Sequence, residues 1–161
     1  KHNIPFVASN IPRRYASLVS REGLEVLQEL DKTAQKLIAP LPIEVDLSLP
    51  GYKNMLSMMG SHGGDDSRAN NFAYAQAIKD ATMAHNILEN LGKNNRLLHF
   101  NGAYHSNNFE AIYWYLKQGK PKTNVITISS VEQENLDYLE EKHFGLADFV
   151  ITISADMTKT Y

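Results

Sequence analysis

The chain has 161 residues, an apolar fraction of 43% and a formal net charge of −2 at pH 7. This length suffices for one domain with a buried core, and the near-neutral charge gives no electrostatic argument for binding nucleic acid or an anionic membrane. The sequence contains no cysteine, which excludes disulfides and thiolate metal sites, and it has no apolar run of about 18 residues that would predict a membrane-spanning helix.

The N-terminal part of the chain predicts one strand and several short helical segments. Residues 4–8 form an apolar run typical of a strand, and a helix is expected to begin at Arg13. Gly23 interrupts this helix, a second amphipathic run follows, and Asp31 is placed to cap a third. Because the chain starts at Lys1 and enters an apolar strand within a few residues, we expect it to be a fragment of a longer protein.

Residues 39–71 predict little regular structure. Three prolines between residues 39 and 50 indicate a surface segment, and a short methionine-rich helix follows. The stretch from Gly60 to Asn71 is rich in glycine and small polar residues, which bury little surface. We therefore expect a flexible loop there, with His62 inside it.

A long amphipathic helix comes next and carries a carboxylate on its apolar side. Asp80 is bracketed there by Met83, Ala84 and Ile87, and Gln76 lies about one turn earlier. A carboxylate in an apolar arc is costly to desolvate unless it is paired, hydrogen-bonded or bound to a ligand. Asp80 is therefore either tied to a neighbouring side chain or part of a site.

A short apolar segment and a turn predict the second half of that site. Residues 97–101 are too few for a helix and predict a strand, and His105 follows on the turn before the next helix. Asn107 and Glu110 have the spacing of a capping box, which predicts that this helix begins at Asn107. Ligands bind at the carboxyl edge of open α/β sheets, and the long helix runs back to that edge. We expect three side chains to converge there: Gln76, Asp80 and His105.

The last part of the chain predicts two more strands, over residues 125–128 and 149–153, with a helix over residues 135–143 between them. Strands that alternate with helices predict an α/β fold. We expect a single domain over residues 1–161, with a mainly parallel sheet of about four strands that belongs to a larger sheet and carries helices packed on it. The carboxyl ends of the strands would share one edge, with these polar residues: Asn10, Arg13, Arg14, His105, Ser129 and Ser130.

No motif that identifies a catalytic site by itself is present, since the sequence lacks G-x-S-x-G, a Walker A loop and H-E-x-x-H. His62, His105 and Asp80 are acceptable ligands for a metal ion or haem iron, and Tyr104 is either a packing residue or a phenolate ligand. The guanidinium groups of Arg13 and Arg14 can each hold a carboxylate through two hydrogen bonds.

Four stretches together resemble the ChaN-like family of iron-regulated, haem-binding lipoproteins. They are IPFVASNIPRRYASLVSREGL, the methionine-rich helix with SHGG, AQAIKDATMAHNI and NGAYHSNNFEAIYWYL. The most specific pieces are the A-Q-x-x-x-D-x-x-M-A helix and the G-x-x-H turn, here Gln76, Asp80, Met83, Ala84, Gly102 and His105. The family's opening strand with its G-E-x-H motif is absent. The resemblance implies haem or iron uptake at the bacterial cell envelope, a lipid anchor outside these residues, and haem held by tyrosine or histidine near a homodimer interface.

Two functions remain open on the sequence alone. In the first, the chain binds haem, with His62, Tyr104 or His105 near the iron. Arg13 and Arg14 would then lie near the propionates, and Gln76 and Asp80 would line the same crevice. In the second, the chain is a hydrolase, with or without a metal ion. His105 would be its base or metal ligand, Asp80 would orient His105, and Asn10 or a backbone N–H would stabilise an oxyanion.

Overall fold

The structure is a computed structural model that describes residues 4–59, 67–93 and 95–158. The described part of the chain is α/β, with helices and a small parallel sheet of two strands. The helices are α1 (Arg13–Glu22), α2 (Lys32–Gln35), α3 (Pro50–Met58), α4 (Ser67–Asn90) and α5 (Ile112–Gly119), and the strands are β1 (Ile128–Gln133) and β2 (Phe149–Ser154). Short 3₁₀ helices occur at Glu25–Glu29, Ala103–His105, Asn107–Phe109 and Glu141–His143.

Helix α4 is the element on which the other helices pack. Helices α1, α3 and α5 all contact it. At its N-terminal half, Ile78 joins Val19 of α1 and Leu27 in a hydrophobic cluster, and these three residues are fully buried. Each such aliphatic side chain contributes about 1.5–3 kcal/mol of hydrophobic stabilisation. Alanines at 73 and 77 let Tyr52 of α3 approach the helix closely, and α5 packs near its C-terminal end.

Two local signals for helix ends are confirmed, the stop at Gly23 and the cap at Asp31. Helix α1 begins at Arg13 and stops before Gly23, whose positive φ of 90° suits glycine and whose N–H donates to the Val19 carbonyl at 2.9 Å. The Asp31 carboxylate caps α2 by accepting from the backbone N–H groups of Thr33 and Ala34, both at 2.8 Å.

Strands β1 and β2 pair in parallel, from Ile128 opposite Phe149 to Gln133 opposite Ser154. The pair is anchored just before both strands begin, where the Asp148 carboxylate accepts from the backbone N–H and the hydroxyl of Thr127 at 2.7 and 2.9 Å. One face of β1 is buried, whereas the paired Ile128 and Phe149 are exposed on the other.

The sheet differs from the predicted one. The strand expected over residues 125–128 is instead β1, over residues 128–133, because its backbone pairs with β2 from Ile128 to Gln133. On the buried face of β1, the Ser129 hydroxyl donates to the Asn107 side-chain oxygen at 2.8 Å. Ser129 and Ser130 therefore lie within a strand and not beyond its carboxyl end. Residues 4–8 and 97–101, expected as strands, form no backbone ladder with any described residue.

Two further expectations are wrong in part or in full. Residues 135–143 are irregular apart from the turn Glu141–His143, because the Gln133 side-chain amide donates to the Asn135 carbonyl and, at 2.7 Å, to the Tyr138 carbonyl. Those bonds hold the backbone away from a helical path. Residues 67–71, expected in a loop, form the first turn of α4. Residues 60–66, with His62, lie outside the described residues. No helix in the described ranges is long and apolar enough to cross a bilayer.

Candidate functional site

The carboxylate of Asp80 lies inside the protein at the middle of α4. Its residue is 1% exposed, and Oδ2 accepts a hydrogen bond from the Tyr52 hydroxyl of α3 at 2.8 Å. Tyr52 is also buried, because the alanine-lined surface of α4 receives its ring. The Asp80 carboxylate can therefore lie among apolar residues because the Tyr52 hydroxyl compensates for part of its lost hydration.

The second oxygen of Asp80 meets His105. The distance from Oδ1 to the histidine Nδ1 is 2.5 Å, and one proton lies between the two atoms. The His105 side chain is 21% exposed, whereas that of Asp80 is 2% exposed. No described residue forms a hydrogen bond with the histidine Nε2, which lies on the side of the ring away from Asp80. The geometry therefore fixes the imidazole through Nδ1 and leaves Nε2 to meet a ligand or a proton.

Burial determines the protonation of the groups around this pair. Burial raises the pKa of Asp80, while hydrogen bonds from His105 and Tyr52 act in the opposite direction. Burial and then the Asp80 charge raise the pKa of Tyr52, and the same two causes raise the pKa of Tyr115. The Tyr115 hydroxyl donates to the Glu44 carbonyl at 2.8 Å. Both tyrosines therefore remain protonated donors and do not supply a phenolate.

The turn that presents His105 is held by short-range bonds. The His105 backbone N–H donates to the Gly102 carbonyl at 2.9 Å, and the Asn101 side-chain nitrogen bonds the Gly102 carbonyl and the Ser106 hydroxyl, both at 2.9 Å. These bonds connect residues before and after His105, so they define the conformation of the turn that carries the histidine.

The capping box expected after His105 does not form. Asn108, Phe109 and Ala111 all have positive φ, between 52° and 59°, and α5 begins only at Ile112. Glu110 instead reaches α3, where its Oε2 accepts from the Gly51 N–H at 2.6 Å. Non-glycine residues with positive φ are strained, so contacts elsewhere must hold this loop, and the bond from Glu110 to α3 is one of them.

Among the described residues, none of the other predicted site residues forms a hydrogen bond with the Asp80–His105 pair. The Gln76 side-chain oxygen accepts from Lys79 at 3.1 Å, and Arg14 donates to the Tyr15 hydroxyl at 2.9 Å. Arg13 is exposed on α1. Tyr104 is exposed beside His105, where it lines a small cleft together with Tyr52 and Glu110. Their roles in ligand binding stay predictions.

The sequence did not predict the roles of Tyr52, which bonds Asp80, and Glu110, which lines the small cleft beside Tyr52. Tyr52 is 28 residues from Asp80 along the chain, and Glu110 is 59 residues from Gly51. No local sequence pattern links residues at such separations. The spacing of Glu110 from Asn107 instead predicted a capping box between those two residues.

A second hollow lies between α4, α5 and residues 39–44. Its volume is about 210 Å³, and its walls include Ala84, His85, Leu88, Trp114 and Tyr115. Typical ligand pockets have about 300–1,000 Å³, so this hollow is small for a macrocycle. No group of three or more histidine, aspartate or glutamate side chains in the described ranges is arranged to hold a metal ion.

These features define an α/β protein in which a buried carboxylate holds a histidine at a turn. Over residues 1–116, the sequence matches the family model described as haem-binding uptake, Tiki superfamily, ChaN. The chain therefore belongs to the ChaN family of haem-binding uptake proteins, which confirms the resemblance found in the sequence. The matched range contains Tyr52, Asp80 and His105 and ends within α5. No curated protein and no solved structure matches the chain.

Proposed function

We propose that this chain is a haem-binding domain that takes part in haem or iron uptake, with His105 as the ligand to the haem iron. The observation that carries the proposal is the 2.5 Å hydrogen bond between Nδ1 of His105 and Oδ1 of Asp80. Histidines that bind metals commonly donate their other ring N–H to a carboxylate, which fixes the tautomer and makes the free nitrogen more basic. His105 has this arrangement.

The residues fit haem by their chemistry. A single neutral imidazole can hold haem iron, so a cluster of several metal ligands is not required. Haem would supply the iron that an uptake protein carries. Asp80 would keep the imidazole oriented, and Tyr52 would hold Asp80 in place. Tyr104, His62 and Gln76 remain candidates to contact haem, and Arg13 and Arg14 remain candidates to hold its propionates.

The proposal includes the setting of the domain. Uptake of haem by a bacterium supports a location at the cell envelope, and a lipid anchor outside residues 1–161 would provide attachment. We also propose one α/β domain over residues 1–161, with the described pair of strands as part of a larger and mainly parallel sheet. A homodimer would allow two copies to share the ligand.

Hemin titration tests this function. The wild-type chain should bind hemin saturably, with a shift of the Soret band. His105→Ala should weaken binding at least about tenfold, and Asp80→Asn should weaken it by about 10–100-fold because the imidazole loses its anchor. His85→Ala, which removes a partly exposed histidine of α4 outside the pair, should leave binding unchanged. Equal binding by the His105 and His85 variants would show adsorption to apolar surface and would overturn the proposal.

The same geometry favours a second candidate function, that of a hydrolase. A histidine oriented by a carboxylate through Nδ1 is also the arrangement of a general base. His105 would activate water or a nucleophile through Nε2, and Asn10 or a backbone N–H would stabilise the oxyanion. The measurement is the rate of p-nitrophenyl acetate hydrolysis as a function of pH. A rate that increases as a single group is deprotonated, and that is lost in His105→Ala but not in His85→Ala, would support this function. A rate equal to that of the buffer would exclude it for this ester.

A further inference from the structure

The Asp80 carboxylate is held by hydrogen bonds and not by a lysine or an arginine. Its side chain is 2% exposed, and among the described residues no lysine or arginine forms an ion pair with it. The ammonium group of Lys79, at the preceding position of α4, donates to the Gln76 side chain instead. The buried carboxylate is therefore weakly screened, and it acts mainly on the two groups that bond it.

Two donors share this carboxylate, one on each oxygen. Nδ1 of His105 lies 2.5 Å from Oδ1, and the Tyr52 hydroxyl donates to Oδ2 at 2.8 Å. Tyr52 is 3% exposed, so its bond is shielded from water. Each donor draws electron density from the same carboxylate, and density that is drawn towards one donor is less available to the other. The tyrosine hydroxyl therefore limits how strongly Asp80 accepts from the histidine.

The strength of this hydrogen bond affects Nε2, the free nitrogen of the His105 ring. A carboxylate that accepts the N–H of one ring nitrogen raises the basicity of the other. Hydrogen bonds around an axial ligand are one of the means by which proteins set the reduction potential of haem iron. A more basic nitrogen, with a buried negative charge behind it, stabilises Fe³⁺ more than Fe²⁺ because the ferric ion carries one more positive charge.

Exclusion of water acts in the opposite direction, because burial disfavours the state with the higher charge. The His105 side chain is 21% exposed, so this opposing contribution is incomplete on the side of the ring that faces a ligand. The carboxylate, in contrast, is in direct contact with the ring. The contribution of Asp80 therefore outweighs that of desolvation.

We propose that the site distinguishes the two oxidation states of haem: it binds ferric haem more tightly than ferrous haem, and Tyr52 limits the size of that preference. The inference rests on the proposed function, since it takes His105 as the ligand to the iron. Tyr52 acts through Asp80 and His105 and requires no contact with haem, so it is a positioning residue that affects selectivity.

The affinities for the two oxidation states provide the test. Hemin is titrated into the 161-residue chain in air, and dithionite-reduced haem is titrated into it under nitrogen, with the Soret band followed in both titrations. In the wild type the ratio of the ferrous Kd to the ferric Kd should be at least about tenfold. The midpoint potential of the haem-loaded chain measures changes in this ratio independently, because a tenfold change corresponds to about 59 mV for a one-electron couple.

Two variants should move this ratio in opposite directions. Tyr52→Phe leaves Asp80 ionised with His105 as its remaining side-chain donor, so the ratio should increase at least about threefold. Asp80→Asn removes the negative charge, so the ratio should decrease at least about tenfold. Tyr138→Phe changes an exposed tyrosine and should leave the ratio unchanged. A purely structural role of Tyr52 would instead weaken the binding of both oxidation states alike.

The effect of Tyr52 on the histidine can also be measured without haem. In the ¹H–¹⁵N NMR spectrum of the haem-free chain, the Nδ1 proton of His105 should move downfield in Tyr52→Phe, because its hydrogen bond to Asp80 becomes stronger. The same resonance should stay in place in Tyr138→Phe.

The possible outcomes separate this inference from the proposed function. Absence of saturable hemin binding would overturn both. Saturable hemin binding with a ferrous-to-ferric ratio near one, or with equal ratios in Tyr52→Phe and Tyr138→Phe, would overturn the inference alone. An unmoved Nδ1 proton in Tyr52→Phe would also overturn it, since Tyr52 would then have no effect on His105.

Discussion

At the scale of single residues, the pairing of Asp80 governs both the fold and the site. The Asp80 side chain is 2% exposed and bonds two other side chains, Tyr52 through Oδ2 and His105 through Oδ1. Removal of a buried acceptor costs more than its own bonds contribute, because the groups left behind are desolvated and unpaired. Asp80 therefore couples the stability of the helical layer to the orientation of the histidine.

Asp80→Ala should lower the free energy of unfolding by about 3 kcal/mol, since it leaves the Tyr52 hydroxyl and the His105 ring unpaired. Lys79→Ala, at the next position on the same helix, should change it by less than about 0.5 kcal/mol. Urea denaturation measures both values. If both variants lost the same free energy of unfolding, the buried hydrogen bonds of Asp80 would make no measurable contribution to stability.

Tyr52→Phe should lower the free energy of unfolding by about 1 kcal/mol, because one hydrogen bond to a buried carboxylate is lost while the ring stays packed. The matched control is Tyr138→Phe, since Tyr138 is exposed. Loss of the donor should also raise the pKa of Asp80 further, which NMR titration of the carboxyl carbon can detect. A Tyr52 variant as stable as the control would contradict the assigned bond.

At the scale of secondary structure elements, Glu110 joins the loop after His105 to the first turn of α3. The Gly51 N–H, one of the N-terminal donors that no intrahelical carbonyl can satisfy, donates to its carboxylate. A negative charge at this helix end is also favoured by the helix dipole. The contact holds three elements of the site in one arrangement: α3, the strained loop and the histidine turn.

Glu110→Ala should therefore cost about 1 kcal/mol of stability, the usual value for loss of an N-terminal cap. Glu89→Ala, at an exposed position near the end of α4, should cost less than about 0.5 kcal/mol. Gly51→Ala offers an independent check, since an added Cβ would lie 2.8 Å from Oε2 of Glu110 and displace it. Thermal denaturation of the three variants tests this, and equal stability of all three would exclude the capping role.

The start of the β1–β2 pair should make stability depend on pH. Hydrogen bonds from Thr127 hold the pKa of Asp148 below its ordinary value of 3.8. Because the pKa is lowered in the folded state, ionised Asp148 stabilises the fold above pH 3.8, and this contribution is lost as the pH falls through the folded-state pKa. The urea midpoint of the wild type should fall more between pH 5 and about pH 3 than that of Asp148→Asn. Equal falls would show that Thr127 does not favour the ionised form.

At the scale of the whole molecule, α4 organises one part of the chain, and β1 and β2 contact each other far more than they contact any helix. The helical part contains the fully buried residues Val19, Leu27 and Ile78, whereas one face of the strand pair is exposed. Elements with little buried apolar surface open at lower free energy.

Amide hydrogen exchange should therefore be faster in β1 and β2 than in the middle of α4. Mass spectrometry of peptides that cover residues 128–133, 149–154 and 75–84 provides the comparison. If all three ranges exchanged at one common rate set by global unfolding, the strand pair would be as firmly held as the helices.

The sequence by itself determined the features that depend on neighbours within a few residues. The helix over α4, the stop at Gly23 and the cap at Asp31 follow from periodicity and from hydrogen bonds that close within one turn. The unusual position of Asp80 and its approach to His105 were also predictable, since a buried carboxylate requires a partner and the long helix was expected to run back towards the turn that carries His105.

Only the tertiary structure decided the partners that lie far apart in the chain. Thr82 falls on the polar side of α4 by periodicity, yet it is buried because its hydroxyl accepts from the Ala39 N–H. Glu110 fits a local capping box but bonds Gly51, and Tyr52 reaches Asp80 from another helix. A helix satisfies its backbone within itself, whereas a strand or a buried side chain is satisfied by whatever group the fold brings to it. For that reason the positions of α1 and α4 could be predicted from local sequence. The start of α5, the irregular course of residues 135–143, the strand pairing and the surroundings of the site could not.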